Sequence, residues 1–421
     1  MQKKLIAVAV AGLLSGAAFA DNVTVYGAVD ATYDNVKATG ATGGFTGSAA
    51  AAANANYQSR GRTTMNSSFI GFKGAESMGN GLTAVFQIES GVNENAGATN
   101  TCATNCGISG TSTNGWANRD TMIALAGGFG IVAAGNLTGP ARALGAMMDP
   151  NSGDTGIGSN AALIGKLGGG AGAGYVDNRF SNTLAYISPT FGGFSAVVAY
   201  VPNENRSSNA AGAQPAVDTS AYTVGLNLAM GPVTGGFAWT EIKDKGTAGF
   251  GPVSTDTTVA AIAANVPLAV AIDKFTNYRL GVKYDFGMGT VGLLADQTKA
   301  NVHGLSGLGL SDEVKQTVFY IPVTFTFGQS KIIGQYGQAG KLTNALGDGN
   351  EFKARHLMVG YEYALSKRTL LKAVYSQIDN KKLASYDYLY GVSNPNTTAT
   401  TNGVGAGADP KGISLGIRHS F

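Results

Sequence analysis

Three groups of residues in this 421-residue chain could do chemistry, and the first is a serine. Gly412-Ile413-Ser414-Leu415-Gly416 matches the G-x-S-x-G pattern of a nucleophile elbow, which needs a strained strand-to-helix turn and then an acid followed by a histidine. His419 follows, but no acid stands between it and Ser414, and the five residues read as part of an extended strand. The second group is Cys102 and Cys106, in the polar segment Gly97 to Gly115. The only histidines, His303, His356 and His419, are far from them in sequence, so the spacing of a zinc site is absent and a small loop disulfide is the natural reading. No phosphate loop or dinucleotide fingerprint occurs, so the sequence points to no cofactor, no metal and no enzyme.

The third group is larger: ionisable residues recurring at every second position. Asp30 shares a face with Thr24, Tyr26, Thr32 and Asp34, opposite Val23, Val25, Val29, Ala31 and Tyr33. Glu89 lies with Thr83 and Gln87 opposite Leu82, Ala84, Phe86 and Ile88, and Arg279, Lys283 and Asp285 lie opposite Tyr278, Leu280, Val282, Tyr284 and Phe286. Period two is the signature of a strand with one apolar side. Fixed charges along the polar face of such strands can line a wet passage and set its ion preference. Parity places Lys73, Arg279, Lys283, Lys372 and Arg418 on that face with Asp30, Glu89 and Glu362.

These strands need something to hold them, and the connections say what. Short Gly-rich turns (76–80, 127–130, 188–193, 230–232, 287–289, 327–329, 365–368) alternate with long polar segments (37–65, 93–118, 138–178, 202–219, 243–276, 300–315, 340–352, 380–410). Seven short turns and eight long loops separate sixteen strands, with both termini on the short-turn side. That is the layout of an antiparallel transmembrane β-barrel with brief periplasmic turns and long external loops. In a soluble domain, loops beyond about 12 to 15 residues are uncommon, whereas a closed barrel accommodates them and leaves no unpaired backbone in lipid. Aromatic residues beside the turns, among them Phe191, Phe194, Tyr284, Phe286, Phe325, Phe327, Tyr361 and Tyr363, suit interfacial girdles.

Composition agrees. With 62 Gly and 13% charged residues, and a mean hydropathy of +0.05, the chain is poor in charge yet lacks an apolar run long enough for a membrane helix. The nearest stretch, Val259 to Ile272, is broken by Asn265 and Pro267. Lys3 and Lys4, the apolar stretch Leu5 to Leu14 and the small-residue end Ala18-Phe19-Ala20 form a secretory signal peptide over 1–20, leaving 21–421 as the barrel. Removing Lys3 and Lys4 takes the basic count from 29 to 27 against 26 acids, a formal charge of +1, which gives no hint of nucleic-acid binding.

Six pieces in order resemble one family. They are Val25-Tyr26-Gly27; Gly71-Phe72-Lys73-Gly74 with Gly81-Leu82 and Phe86 to Gly91; Ser188 to Phe194; Tyr284-Asp285-Phe286-Gly287; Leu365 to Thr369; and Gly416 to Phe421. The chain is similar over nearly its whole mature length to the trimeric general porins of the Gram-negative outer membrane, betaproteobacterial type. The resemblance implies a homotrimer, contact with outer-membrane lipid and lipopolysaccharide, and passive diffusion of small hydrophilic solutes and ions. It also implies a third external loop, here 138–178, folded inward to narrow the pore. That loop carries Arg142, Asp149, Asp154, Lys166 and Asp177. Arg119 and Arg179 stand where the family commonly has arginine, whereas Phe69 and Asn136 occupy positions where it usually has two more. The expectation is that Asp149 and Asp154 face basic wall residues across the narrowest point. A substrate-selective channel, a barrel enzyme and an adhesin are the competing readings.

Overall fold

The computed structural model describes residues 23–43, 56–92, 116–153, 156–169, 176–202, 219–249, 269–302, 313–345, 348–388, 392 and 404–421. Its strand segments are β1 (Thr24–Thr39), β2 (Tyr57–Thr64), β3 (Phe69–Gly79), β4 (Leu82–Gly91), β5 (Thr121–Gly127), β6 (Gly130–Thr138), β7 (Arg179–Ile187), β8 (Phe194–Val201) and β9 (Ser220–Met230). They continue with β10 (Val233–Gly249), β11 (Ala269–Asp285), β12 (Gly289–Val302), β13 (Glu313–Phe327), β14 (Ser330–Ala339), β15 (Ala354–Ala364), β16 (Thr369–Asn380) and β17 (Asp409–Ser420). Consecutive segments other than β2 and β3 pair antiparallel, and β1 pairs β17, so the sheet closes on itself.

The seventeen segments make sixteen crossings. On the edge away from β17, β1 pairs β3 through Thr24 to Ala28 and β2 through Thr32 to Ala38, so β2 and β3 are two halves of one crossing. The break falls at Met65–Ser68, where Asn66 takes φ 36. Asn66 Nδ2 donates to Asp30 Oδ1 at 3.0 Å and Thr32 Oγ1 at 3.2 Å, and Ser68 Oγ accepts from the Asp30 amide at 2.8 Å. Side chains therefore supply the hydrogen bonds the interrupted ladder lacks.

The expected loop bounds move most at two places. The first loop shrinks from 37–65 to 40–56, because Tyr57–Thr64 pairs with β1 through backbone groups although its side chains show no apolar alternation. The fifth loop shrinks from 243–276 to 250–268, because β10 and β11 continue as a paired ribbon beyond Lys243, with a bulge before Gly246. The alternation predicted on the wall strands is present. Val25, Val29, Tyr33, Leu280, Val282, Tyr284 and Ile417 point out and are exposed, while Asp30, Thr32, Asp34, Gln87, Glu89, Arg279 and Lys372 point in. Among the described residues, no helix is long and apolar enough to cross a membrane.

Inside the barrel lies a hydrophobic core. The third loop opens with Pro140 at the first position of a helix, α1 (Pro140–Met148), where its missing N–H costs nothing. Ala141, Leu144 and Met148 of α1, with Ile157, Leu163 and Ile164 further along the loop, cluster with Leu294, Val318, Tyr320, Ile333, Met358, Val374 and Ile378 of the wall. Tyr386, Tyr388 and Val392 of the eighth loop join the same cluster. Four wall glycines make the seat. A Cβ at Gly225 would lie 2.8 Å from Pro140, at Gly236 3.4 Å from Leu144, and at Gly281 or Gly292 2.8 Å from Met148. The helix can rest on the strands because those positions carry no side chain.

Candidate functional site

The third loop is fastened to one side of the lumen by charge. Arg279, on β11 and fully buried, binds Asp177 at the end of the loop and Asp296 of β12, the latter at 2.7 Å, and donates to the Ala141 carbonyl at 2.7 Å. One guanidinium therefore ties both ends of the loop to the wall. Asp296 accepts in turn from the Gly165 amide at 3.0 Å. Lys283 Nζ donates to the Met147 carbonyl at 2.7 Å, Lys331 Nζ to the Pro150 carbonyl at 3.0 Å, and Glu362 receives both the amide and hydroxyl of Ser152 at 2.9 and 2.8 Å.

The eighth loop clamps the third from outside. The Ser385 amide donates to the Gly168 carbonyl, and Tyr386 Oη and the Gly168 amide both donate to Gln316 Oε1. A Cβ at Gly169 would meet the Tyr386 amide nitrogen at 2.3 Å, and its φ of +85° is one that only glycine adopts freely. Lys166 Nζ donates to the Ala162 carbonyl at 2.9 Å and the Asp387 carbonyl at 3.3 Å. Burial presses its pKa down to about 8 against the pull of the Asp387 and Asp177 carboxylates, and burial likewise raises Asp387.

Guanidiniums and lysines line the rest of the lumen. Arg119 pairs Glu89 at 3.3 Å and lies 4.6 Å over the Phe69 ring; Arg179 pairs Asp120 at 2.9 Å; and Arg142 donates to the Asp177 carbonyl at 2.7 Å. Arg179 and Arg142 are close enough to add to burial in lowering the proton affinity of Arg119. Lys73 Nζ sits 4.9 Å over the Tyr26 ring, whose hydroxyl donates to Glu89. Arg62 pairs Asp34 at 3.3 Å, while Asp30 holds Lys372 at 2.6 Å and Arg418 at 3.0 Å.

In these pairs the two signs are not equally accessible. The side chains of Asp30, Asp34 and Glu89 are 0%, 1% and 9% exposed, whereas those of Arg418, Arg62 and Arg119 are 18%, 15% and 18% exposed. Asp120, at 24%, is the exception. In the Arg418, Arg62 and Arg119 pairs the carboxylate is sunk at the wall and the guanidinium stands above it, whereas Lys372 is buried with Asp30 and Asp177 is more exposed than Arg279.

Measured against the sequence reading, Lys73, Arg279, Lys283, Lys372, Arg418, Asp30, Glu89 and Glu362 all face inward. Asp149 accepts from the amides of Asn151 at 2.9 Å and Asn160 at 2.8 Å, closing the turn after α1. Asp154, Cys102, Cys106 and the leader 1–20 fall outside the described residues. Phe69, standing where an arginine was expected, is the platform under Arg119, and Asn136 Nδ2 holds the Arg119 carbonyl at 2.7 Å. Ser414 lies within β17, paired with Asp34 and Val374, with no turn to strain it. Sequence reasoning missed Arg62, Asp120 and Asp296. Asp296 was accessible to it, since it shares the inward parity of Leu294 and Thr298; Arg62 was hidden in a segment read as loop. Among the described residues no cluster of three or more His, Cys, Asp or Glu could hold a metal ion.

A family model described as Gram-negative porin matches residues 7–383. The chain is 30% identical over 378 residues to the major outer membrane protein P.IB of Neisseria gonorrhoeae, covering 88% of this chain and 91% of that protein. It is 29% identical over 428 residues to outer membrane porin protein 32 of Delftia acidovorans, covering both in full. Among solved structures it matches the anion-selective porin from Comamonas acidovorans with a TM-score of 0.67 and 23% identity, covering 95% of this chain and 99% of that one.

Proposed function

The chain belongs to the Gram-negative porin family, an integral outer-membrane barrel that lets small solutes pass passively, and from that premise we propose that its channel favours anions. The family and the fold point to a channel rather than an enzyme. The observation that carries the proposal is the unequal exposure of the ion pairs, with basic groups of Arg62, Arg119 and Arg418 nearer the water than the carboxylates that neutralise them. A permeating ion interacts most strongly with the nearer charge, because Coulomb energy falls with distance and water screens the rest. The Comamonas relative, named for anion selectivity, supports the same sign.

In this reading the third loop, 138–178, is the constriction. Arg142 projects from the loop toward Arg119 and Arg179, and Lys73, Lys283, Lys372 and Arg418 extend the basic lining. Asp149 closes the turn after α1, and the sunk carboxylates of Asp30 and Glu89 add negative poles at the wall. The mature protein begins after residue 20, assembles as a homotrimer and contacts lipopolysaccharide through its outer rim, as its resemblance to general porins implies; a Cys102–Cys106 disulfide closes a small turn in the second loop. The test is the reversal potential of the purified protein in planar bilayers under a potassium chloride gradient. A sign reporting chloride over potassium is expected, and a potential favouring potassium would refute the proposal.

A further inference from the structure

The outward face of β10 to β13 changes character toward its long-loop end. Strand register lays the side chains in rows across the four strands. Phe237, Leu280, Ala295 and Phe319 form an apolar row, and two residues further out Trp239, Tyr278, Gln297 and Thr317 form an amphipathic one. The next row is Glu241, Thr276, Lys299 and Lys315, and the last is Lys243, Lys274, Asn301 and Glu313. These rows face out, since Tyr278, Leu280 and Phe319 are exposed while the alternating Ile242, Phe275, Ala300 and Val314 are buried. Apolar, then aromatic, then charged is the order of layers met on leaving a membrane.

Charge in the two outermost rows is unbalanced. Lys243 stands directly opposite Lys274, and Lys299 directly opposite Lys315, although like charges so placed destabilise a sheet. Two carboxylates in these rows serve four ammoniums, and loosely. Glu241 lies 3.9 Å from Lys243 and 3.7 Å from Lys274, and Glu313 lies 3.7 Å from Lys315. The side chains of Lys243, Lys274 and Lys315 are 52%, 44% and 42% exposed, while Lys299 lies 5.6 Å over the Tyr278 ring. Snorkelling alone would place lysines at either end of a barrel. The short-turn end of the same face, with Met230, Val233, Tyr284, Val291 and Val323 in register, has no charged residue in its row. Elsewhere on the long-loop rim stand smaller groups, Lys37 opposite Lys411 and Arg355 opposite Asp379.

We propose that this band binds the phosphorylated disaccharide headgroup of lipopolysaccharide, with Lys243, Lys274, Lys299 and Lys315 meeting its phosphates and the acyl chains lying on Phe237, Leu280 and Phe319. Charge and depth together fix the occupant. An anion relieves the opposed lysines, and apolar chains attached to it run down the same face into the hydrocarbon. Strands about 4.8 Å apart spread the four lysines over roughly 15 Å, wide enough for more than one phosphate group. Trp239 and Tyr278 sit between the two zones, where a ring can meet sugar on one side and lipid on the other. The lysines lie at the long-loop end, which faces out of the cell, so the ligand comes from the outer leaflet. This inference deepens the lipopolysaccharide contact proposed above and rests on it.

The experiment is native mass spectrometry of the purified, detergent-extracted protein titrated with bis-phosphorylated lipid A, and with phosphatidylglycerol as the singly charged comparison. Wild type should hold lipid A about tenfold more tightly than phosphatidylglycerol or better. A lysine beside an anionic lipid headgroup contributes about fivefold, so Lys299→Gln alone should weaken binding by about that factor. Lys243→Gln, Lys274→Gln, Lys299→Gln and Lys315→Gln together should weaken it roughly a hundredfold or more. Glu241→Gln, which removes a competing carboxylate, should tighten it. Lys381→Gln with Lys382→Gln takes charge from the exposed eighth loop on the same side of the protein and should leave binding unchanged. Reversal potentials of the fourfold variant should match wild type, because the band lies outside the lumen, and they report that the channel is folded. Wild-type affinity in the fourfold variant, or an equal loss in the loop variant, overturns the location and leaves the lipopolysaccharide contact standing. Failure of the wild type to bind lipid A more tightly than phosphatidylglycerol overturns both.

Discussion

Removing the Arg279 side chain should loosen the constriction without unfolding the barrel. In Arg279→Met the wall loses the pairs with Asp177 and Asp296 and the bond to the Ala141 carbonyl. Breaking a buried pair by deleting one partner costs roughly 3 to 5 kcal/mol, because a charge is left behind. Here the lower figure applies. Asp296 keeps the Gly165 amide and Asn277 Nδ2 at 2.9 Å, and Asp177 is already 14% exposed and can turn to water. A loss of about 3 kcal/mol corresponds to roughly a hundredfold in the equilibrium for local opening. Hydrogen exchange of the Gly165 amide, read from peptides covering 140–169, should accelerate by about that factor. Single-channel conductance should rise and its noise increase. Adding Asp296→Asn removes the stranded charge and should recover part of the protection. Wild-type exchange across 140–169 in the single variant, with unchanged conductance, would show that Arg279 does not hold the loop.

Other perturbations separate the parts of the lumen. Arg119→Gln with Arg179→Gln should lower the chloride-to-potassium permeability ratio most at low ionic strength, since screening weakens the contrast as salt rises; reversal potentials in dilute and concentrated potassium chloride decide it. Gly281→Val places methyls where Met148 and Leu144 now lie and should lift α1 from its seat, seen as faster exchange in α1 with the barrel intact by circular dichroism. Lys166 supplies a pH test. Held between the loops its pKa is about 8, while released into water it returns to the ordinary lysine value above 10, so between these the released state binds more protons. Raising pH from 8 toward 10 should therefore favour the clamped loops and quieten the open channel, an effect expected to vanish in Lys166→Met.

Much of this was legible in the sequence, because the alternation of β1, β4 and β11 reports which side meets lipid. Asp30, Glu89, Arg279 and Lys372 could be assigned to the lumen from parity alone. What parity does not carry is distance around the barrel. Arg279 and Asp177 are brought together by the return of a 41-residue loop (138–178) to the wall, and Asp30 meets Lys372 and Arg418 only because the barrel closes. The break at Asn66 was invisible for another reason: a left-handed asparagine held by Asp30 and Thr32 leaves no pattern in hydrophobicity. Tyr57–Thr64 was read as loop because backbone pairing, not side-chain alternation, makes it a strand.

The distribution of glycine and charge explains how a chain with so few ionisable groups builds a passage for ions. Had the third loop merely hung in the lumen, its own charges would have to hold it, and each buried charge would need a partner at a cost in desolvation. Leu144, Met148, Ile157, Leu163 and Ile164 instead bury against β11 to β17 and the eighth loop, each contributing about 1.5 to 3 kcal/mol, on a seat of glycines that brings the helix close. The dry half of the lumen thus does the holding with apolar groups and a few pairs centred on Arg279. The guanidiniums that stand above sunk carboxylates, Arg62, Arg119 and Arg418, are left free for solutes together with Arg179. It follows that substitutions widening the pore through α1 or its seat should also destabilise the folded loop, whereas those altering selectivity at the exposed arginines should leave its stability nearly unchanged. Measuring conductance and exchange of 140–169 across both sets would separate the two, and a selectivity variant at Arg62 or Arg418 that freed the loop would break the division.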